Sequence, residues 1–339
     1  MKKHSLNNLM EKALTIKVST SIAPTNNRLL WMAFLGLLMT NLFWAINAIL
    51  ARGFMPEVAP IAMNLFRWLG AFLILTPFAL PRMIKSWPVI RPHLFPLSGL
   101  AILSIVFYNS LLYLAANFTT AVNITLINTL IPIATLLIAW RVLGNRPRLL
   151  QSIGMAISIL GVLLILTKGH LAHLLSLKFS QGDLFMIAAV VVWALFTVLL
   201  KKLSLKLPAI TVLYVLVMLG LPFLMLAYAI EAMFFKFYFP SFEHLNLFAY
   251  LWIFPSILAY IFWTNGVVRL GAESASLSIT LMPLFGAALA IIFLNESIYW
   301  FHIAGGICSL IGMLLALLPV NKLTALNKLK RQDKSTSNG

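Results

Sequence analysis

Amide and aromatic side chains recur inside stretches that are otherwise apolar. Asn41, Trp44 and Asn47 lie at successive spacings of three within one such stretch, so each neighbouring pair shares a helix face. Amides beside flat apolar walls suit a pocket for a zwitterionic or aromatic small solute. Further along the chain Asn109, Tyr113 and Asn128, and then Trp193, Tyr260 and Trp263, offer the same two chemistries in other apolar runs. These nine residues are the candidate substrate contacts. Structural readings compete with that role: Asn commonly bonds between helices in a membrane. For a single aromatic such as Tyr113 or Trp263, a place in an interfacial aromatic belt is the favoured reading.

Arg67 also falls within an apolar run. A cation there costs at least about 2.5 kcal/mol on insertion scales, so it needs a partner or a watery cavity. It can anchor a substrate carboxylate or phosphate, or it can snorkel or bond carbonyls of a neighbouring helix. The residues alone leave both roles open. Pro132 and Pro283 each interrupt an apolar run, where the lost N–H frees a carbonyl and permits a bend. Static kinks are favoured over gating hinges. Glu296, beside Asn295 and Ser297, reads as a cap on the following helix, and Glu273 as a first-turn acid. Asp183 and Glu231 read as isolated.

Enzyme chemistry lacks its parts. The chain has no Gly-x-Ser-x-Gly, no His-Glu-x-x-His and no phosphate-cradling loop, and its one cysteine, Cys308, sits in an apolar run. No catalytic residue, metal or cofactor is expected.

The elements that hold these residues follow from composition. Of 339 residues 61% are hydrophobic and 10% charged, against roughly half and a quarter in a soluble domain. Runs of about 20 apolar residues separated by short polar breaks read as membrane-spanning helices. The expected spans are 30–50, 60–80, 95–116, 120–140 and 149–167, then 183–201, 208–230, 247–268, 273–293 and 299–319. The fold class is therefore an all-α integral membrane protein of ten transmembrane helices. Basic tails at 1–29 and 320–339 flank them, and the first run reads as a retained helix, not a signal peptide. The net charge of +17 is carried by tails and alternate loops. It is a topology signal that puts both termini in the cytoplasm, and no nucleic-acid partner is expected.

The second half echoes the first. Trp44-Ala45 returns as Trp193-Ala194, each followed by a basic residue, Arg52 and Lys201. Ala121, Pro132, Leu143, Gly154 and Gly161 return at one constant offset as Ala272, Pro283, Leu294, Gly305 and Gly312. Five helices per copy, 30–167 and 183–319, force the second copy to cross the membrane in the opposite direction. That is an inverted repeat of the kind alternating access uses.

From Trp31 to Pro319 the chain resembles the drug/metabolite transporter superfamily, in its ten-helix EamA-like branch. The resemblance rests on Asn41-Leu42-Phe43-Trp44-Ala45, Asn64-Leu65-Phe66-Arg67-Trp68, Tyr113-Leu114-Ala115 and Pro132. In the second half it rests on Trp193-Ala194, Phe254-Pro255-Ser256, Ala259-Tyr260, Leu281-Met282-Pro283 and Leu294-Asn295-Glu296. It implies a multi-pass inner-membrane carrier of an amino acid or related metabolite, export favoured over import, with lipid as surroundings and homodimerisation left open. Because it includes an Arg at this place whatever the substrate, it also favours the structural role of Arg67. Two positions depart from the family's Gly-Glu pairs, Gly144-Asn145 and Asn295-Glu296. A non-transporting membrane scaffold or sensor is the alternative.

Overall fold

The computed structural model describes residues 27–54, 58–144, 149–170, 180–234 and 237–317. The basic tails expected at 1–29 and 320–339 fall outside the described residues, apart from 27–29. Among the described residues every regular element is helical. In chain order they are α1 (Asn27–Phe54), α2 (Pro60–Lys85), α3 (Trp87–Phe118), α4 (Ala121–Leu143) and α5 (Leu149–Leu166). After them come α6 (Gln181–Leu203), α7 (Ala209–Phe234), α8 (Phe242–Leu270), α9 (272–294) and α10 (Trp300–Leu317).

Seven of these, α1 to α4 and α6 to α8, are long and apolar enough to cross a membrane, and shorter apolar helices occupy Ser152–Ile165, Ser278–Leu294 and Trp300–Gly312. Lipid is the solvent such surfaces need, and large side chains such as Leu73, Leu226 and Ile292 face outward.

The packing pairs elements across the two halves of the chain. α1 lies against α8 and α9, while α6 lies against α3 and α4; α2 packs on α7, and α5 on α10. The α5–α10 crossing is closest. A Cβ built on Gly161 would sit 2.5 Å from the Gly305 carbonyl oxygen, one on Gly305 would sit 2.5 Å from that of Gly161, and one on Gly312 would sit 2.4 Å from that of Gly154. Only glycine lets two backbones approach this way.

Helix ends are tied together by side chains distant in sequence. Glu231 near the end of α7 accepts the Ile61 and Ala62 N–H groups at 2.9 and 2.8 Å. Those are first-turn donors of α2, which has no local capping side chain. Glu296 accepts from Ala121 N and Val122 N at 3.0 and 3.2 Å. It therefore caps α4 and not the helix that follows it, correcting the sequence expectation. Asp183 is likewise not isolated: it accepts a hydrogen bond from Thr119 Oγ1 at 2.7 Å, and its own N–H is capped by Ser180.

Basic residues close the opposite kind of end. Arg52 donates to the Ala116 carbonyl near the end of α3, and Lys201 donates to the Val268 carbonyl near the end of α8. Gly144 and Asn295 terminate α4 and α9 in the left-handed region, at φ 79° and 53°. Asn is the side chain that best replaces Gly there, because its short amide tolerates that conformation.

Candidate functional site

Two π-helical segments shape the centre of the bundle. Residues Ile102–Tyr108 of α3 and Trp252–Leu258 of α8 are both wound this way, at corresponding places in the two halves. In α8 the cause is legible, because Pro255 cannot donate an N–H to the preceding turn. Altered winding turns backbone carbonyls toward side chains. The Ser104 oxygen accepts from Asn109 Nδ2 and Tyr260 OH at 2.8 and 3.0 Å. The Pro255 oxygen accepts from Trp44 Nε1 at 3.2 Å and from Arg67 Nη2 at 2.9 Å.

Arg67 is the hub of this region and only 1% exposed. Its Nε donates to Ser256 Oγ at 2.6 Å, and its Nη1 donates to Asn109 Oδ1 at 2.7 Å and Tyr113 OH at 2.9 Å. Tyr113 passes the chain on to Asn47 Oδ1 at 2.9 Å, and Asn109 Nδ2 reaches Tyr260 OH at 2.9 Å. Four of the five guanidinium N–H donors thus meet neutral oxygens from α3 and α8, and the network continues to α1. The cation does not snorkel; it bonds a neighbouring helix, as the structural reading expects. Its charge nevertheless has no counter-charge among these partners, so an anion brought beside it gains attraction in a low-dielectric interior.

Next to the hub the aromatic residues form a closed box. Trp44 contacts Trp193, Trp263 and Tyr260 with ring centroids 5.1, 5.3 and 6.0 Å apart. Trp193 lies 5.5 Å from both Trp263 and Tyr260, and Trp68 stands edge-on to Tyr260 at 4.9 Å. Trp193, Trp263 and Tyr113 are fully buried, which overturns the interfacial-belt reading of Tyr113 and Trp263. The indole nitrogens of Trp68, Trp193 and Trp263 are buried with no hydrogen-bond partner. A buried unmet donor costs about 1–3 kcal/mol, so three in one aromatic cluster call for an explanation.

Of the sequence-predicted residues the structure therefore gathers Trp44, Asn47, Asn109, Tyr113, Trp193, Tyr260 and Trp263 around Arg67. Asn41 and Asn128 lie on the approach to the short 3₁₀ turn of α9, and Asn128 also neighbours Tyr108, whose ring centroid is 4.5 Å from that of Trp193. Asn41 Nδ2 donates to Ser278 Oγ at 3.0 Å, and Asn128 Nδ2 lies 3.6 Å from Met282 Sδ. Pro132 and Pro283 each stand in the first turn of a helix that resumes after a 3₁₀ turn, at 128–130 and 278–281. Sequence reasoning gave no role to Trp68, Pro255 or Ser256. All three stand in the segments Asn64-Leu65-Phe66-Arg67-Trp68 and Phe254-Pro255-Ser256 that carry the family resemblance.

The sequence pattern of the EamA-like transporter family matches twice, over residues 30–167 and again over 180–318. The chain belongs to the EamA-like transporter family. It is similar to a protein of Archaeoglobus fulgidus described as an uncharacterized transporter, 29% identical over 283 residues that cover 82% of this chain and 95% of that one. It is also similar to the uncharacterized transporter YyaM of Bacillus subtilis, 27% identical over 64% of this chain and 71% of that one. An uncharacterized transporter of Methanothermobacter thermautotrophicus is 27% identical over 85% and 86%. A solved crystal structure shares the fold at a TM-score of 0.60 and 19% identity, covering 86% of this chain and 98% of that one. The family member is thus a multi-pass membrane transporter, in keeping with its apolar helices.

Proposed function

We propose that the protein carries an amino acid or related small carboxylate across the cytoplasmic membrane, with the aromatic box as the closed substrate site. The observation that carries this reading is the set of unpartnered indole N–H groups of Trp68, Trp193 and Trp263 in the one aromatic cluster that holds Trp44 and Tyr260, beside the unneutralised Arg67. Donors with nothing to donate to, next to a buried cation and flat apolar walls, suit a solute with an anionic acceptor at one end and an apolar or aromatic body at the other. A scaffold has no use for such donors and gains stability by losing them.

The box is built from α1, α2, α6 and α8, elements of both halves. Ten spans in two inverted five-helix repeats, 30–167 and 183–319, put it on the seam where rocking would part it. The exchanged packing of α1 and α6, the paired π segments and the paired left-handed helix ends support this arrangement. Both termini lie in the cytoplasm by the positive-inside rule, and resemblance favours export.

Counterflow of radiolabelled amino acids, nucleosides and cationic drugs in proteoliposomes tests the reading, comparing wild type with Trp44→Ala. Saturable flux of carboxylate-bearing solutes, lost in the variant, is expected. Flux of cationic drugs alone, or flux indifferent to Trp44, would remove the box from the pathway.

A further inference from the structure

Two cavities meet at His302, at the end of the bundle that carries Glu296. The first, about 260 Å³, is a slot between α4, α9 and α10 walled by Leu126, Leu284, Ala287, Ile303, Gly306 and Ile307. Leu284, Ile303 and Ile307 are 65, 56 and 53% exposed on the outside of the bundle. The slot therefore opens sideways into hydrocarbon and is separate from the aromatic box. Along α10 it runs from His302 to Leu310, about 12 Å of helix. That is most of the roughly 15 Å of hydrocarbon in one leaflet.

The second cavity, about 480 Å³, is a polar rim above the slot, lined by Thr120, Asn123, Lys168, His170 and Tyr299. Lys168 and His170 are exposed. Tyr299 and Trp300 are 55 and 61% exposed, which sets this level at headgroup depth, where amphipathic rings collect. Glu296 also lines the rim, but its two carboxylate oxygens are turned onto Ala121 N and Val122 N. Its charge is held against a helix N-terminus, which leaves Lys168 as the lysine facing the rim among the described residues.

An apolar slot about one leaflet deep, ending in a rim of ammonium, hydroxyl and amide groups, has the chemistry of a phospholipid. We propose that this face binds one anionic phospholipid, its acyl chain between α9 and α10 and its phosphate at Lys168, in the leaflet that is outer on the orientation given above.

Gly306 provides the test, because a Cβ there touches only Leu126 Cδ2 at 3.4 Å, whereas one on Gly305 strikes backbone. A leucine at 306 therefore projects into the slot. Delipidated protein in detergent micelles is titrated with dioleoyl phosphatidylglycerol and, separately, dioleoyl phosphatidylcholine, with bound lipid counted by native mass spectrometry. Wild type is expected to hold one phosphatidylglycerol per chain in preference to phosphatidylcholine. Lys168→Gln should bind it about fivefold more weakly, as for one lysine at an anionic surface, and Gly306→Leu should lose the saturable site with its helix content unchanged. Equal retention of both lipids by wild type, or unchanged phosphatidylglycerol binding by Lys168→Gln, overturns the proposal whether or not Gly306→Leu folds. So does a wild-type dimer that Gly306→Leu turns into a monomer with the same bound lipid, since the slot then belongs to a second copy. No transport is measured, so the outcome is independent of the substrate site.

Discussion

The Glu231 carboxylate receives the Ile61 N–H at 2.9 Å, so the far end of α7 caps the start of α2. The two residues are 170 positions apart, and among the described residues no side chain nearer in sequence does the job. Because the bond joins an acidic side chain to the positive end of a helix dipole, it stabilises both elements together.

Removing that cap is expected to be costly and local. Glu231→Ala should lower stability by about 1–2 kcal/mol, the range for a lost N-cap. Glu231→Gln, which keeps one acceptor oxygen but not the charge, should lose less. Unfolding midpoints in detergent measure the difference. Equal midpoints for wild type and the alanine variant would mean that water replaces the carboxylate.

Arg67 should be intolerant of every replacement. Alanine leaves Ser256, Asn109 and Tyr113 without a buried donor each and the Pro255 carbonyl with Trp44 alone. A loss of at least about 3 kcal/mol is expected, as when one partner of a buried charged network is removed. Arg67→Lys should recover only part of it, since an ammonium has three donors where the guanidinium uses four. Thermal unfolding of the two variants in micelles orders them. A lysine variant as stable as wild type would show that geometry does not matter at this position.

Trp193→Phe separates folding from function. The ring stays apolar while the orphan N–H is deleted, and the gain from losing that donor offsets the cost of the small cavity the narrower ring leaves. Stability should therefore stay within about 1 kcal/mol of wild type. Counterflow of the preferred substrate should fall by about tenfold, the worth of one hydrogen bond to a charged group. Flux at the wild-type level with unchanged apparent affinity would assign the Trp193 indole to packing alone.

Much of the scaffold is legible in the residues. Apolar runs anticipate the helices, and Trp44 and Trp193, paired by the sequence pattern, meet with ring centroids 5.1 Å apart. Depth along a helix does not distinguish an inward aromatic from one at the interface, since Tyr and Trp suit both places. Tyr113 and Trp263 were misread for that reason. Winding was hidden as well: i→i+5 bonding leaves hydropathy unchanged, so the π segment of α3, which contains no proline, carried no signal. Contacts such as Glu296 with Ala121 were illegible because the local alternative, capping its own helix, is chemically just as good.

The α5–α10 crossing supplies a final contrast between adjacent residues. A methyl on Gly305 would lie 2.5 Å from both the Gly161 oxygen and Ile165 Cγ1, so the two backbones must separate. Overpacking of that kind costs about 1–3 kcal/mol. A methyl on Gly306 meets only a leucine methyl at 3.4 Å, and replacing glycine within a helix returns about 0.5–1 kcal/mol of backbone entropy. Gly305→Ala should therefore unfold earlier than wild type and Gly306→Ala at the same point or later, by circular dichroism in the same detergent. If the order were reversed, the close approach of α5 and α10 would not be the contact that holds this side of the bundle.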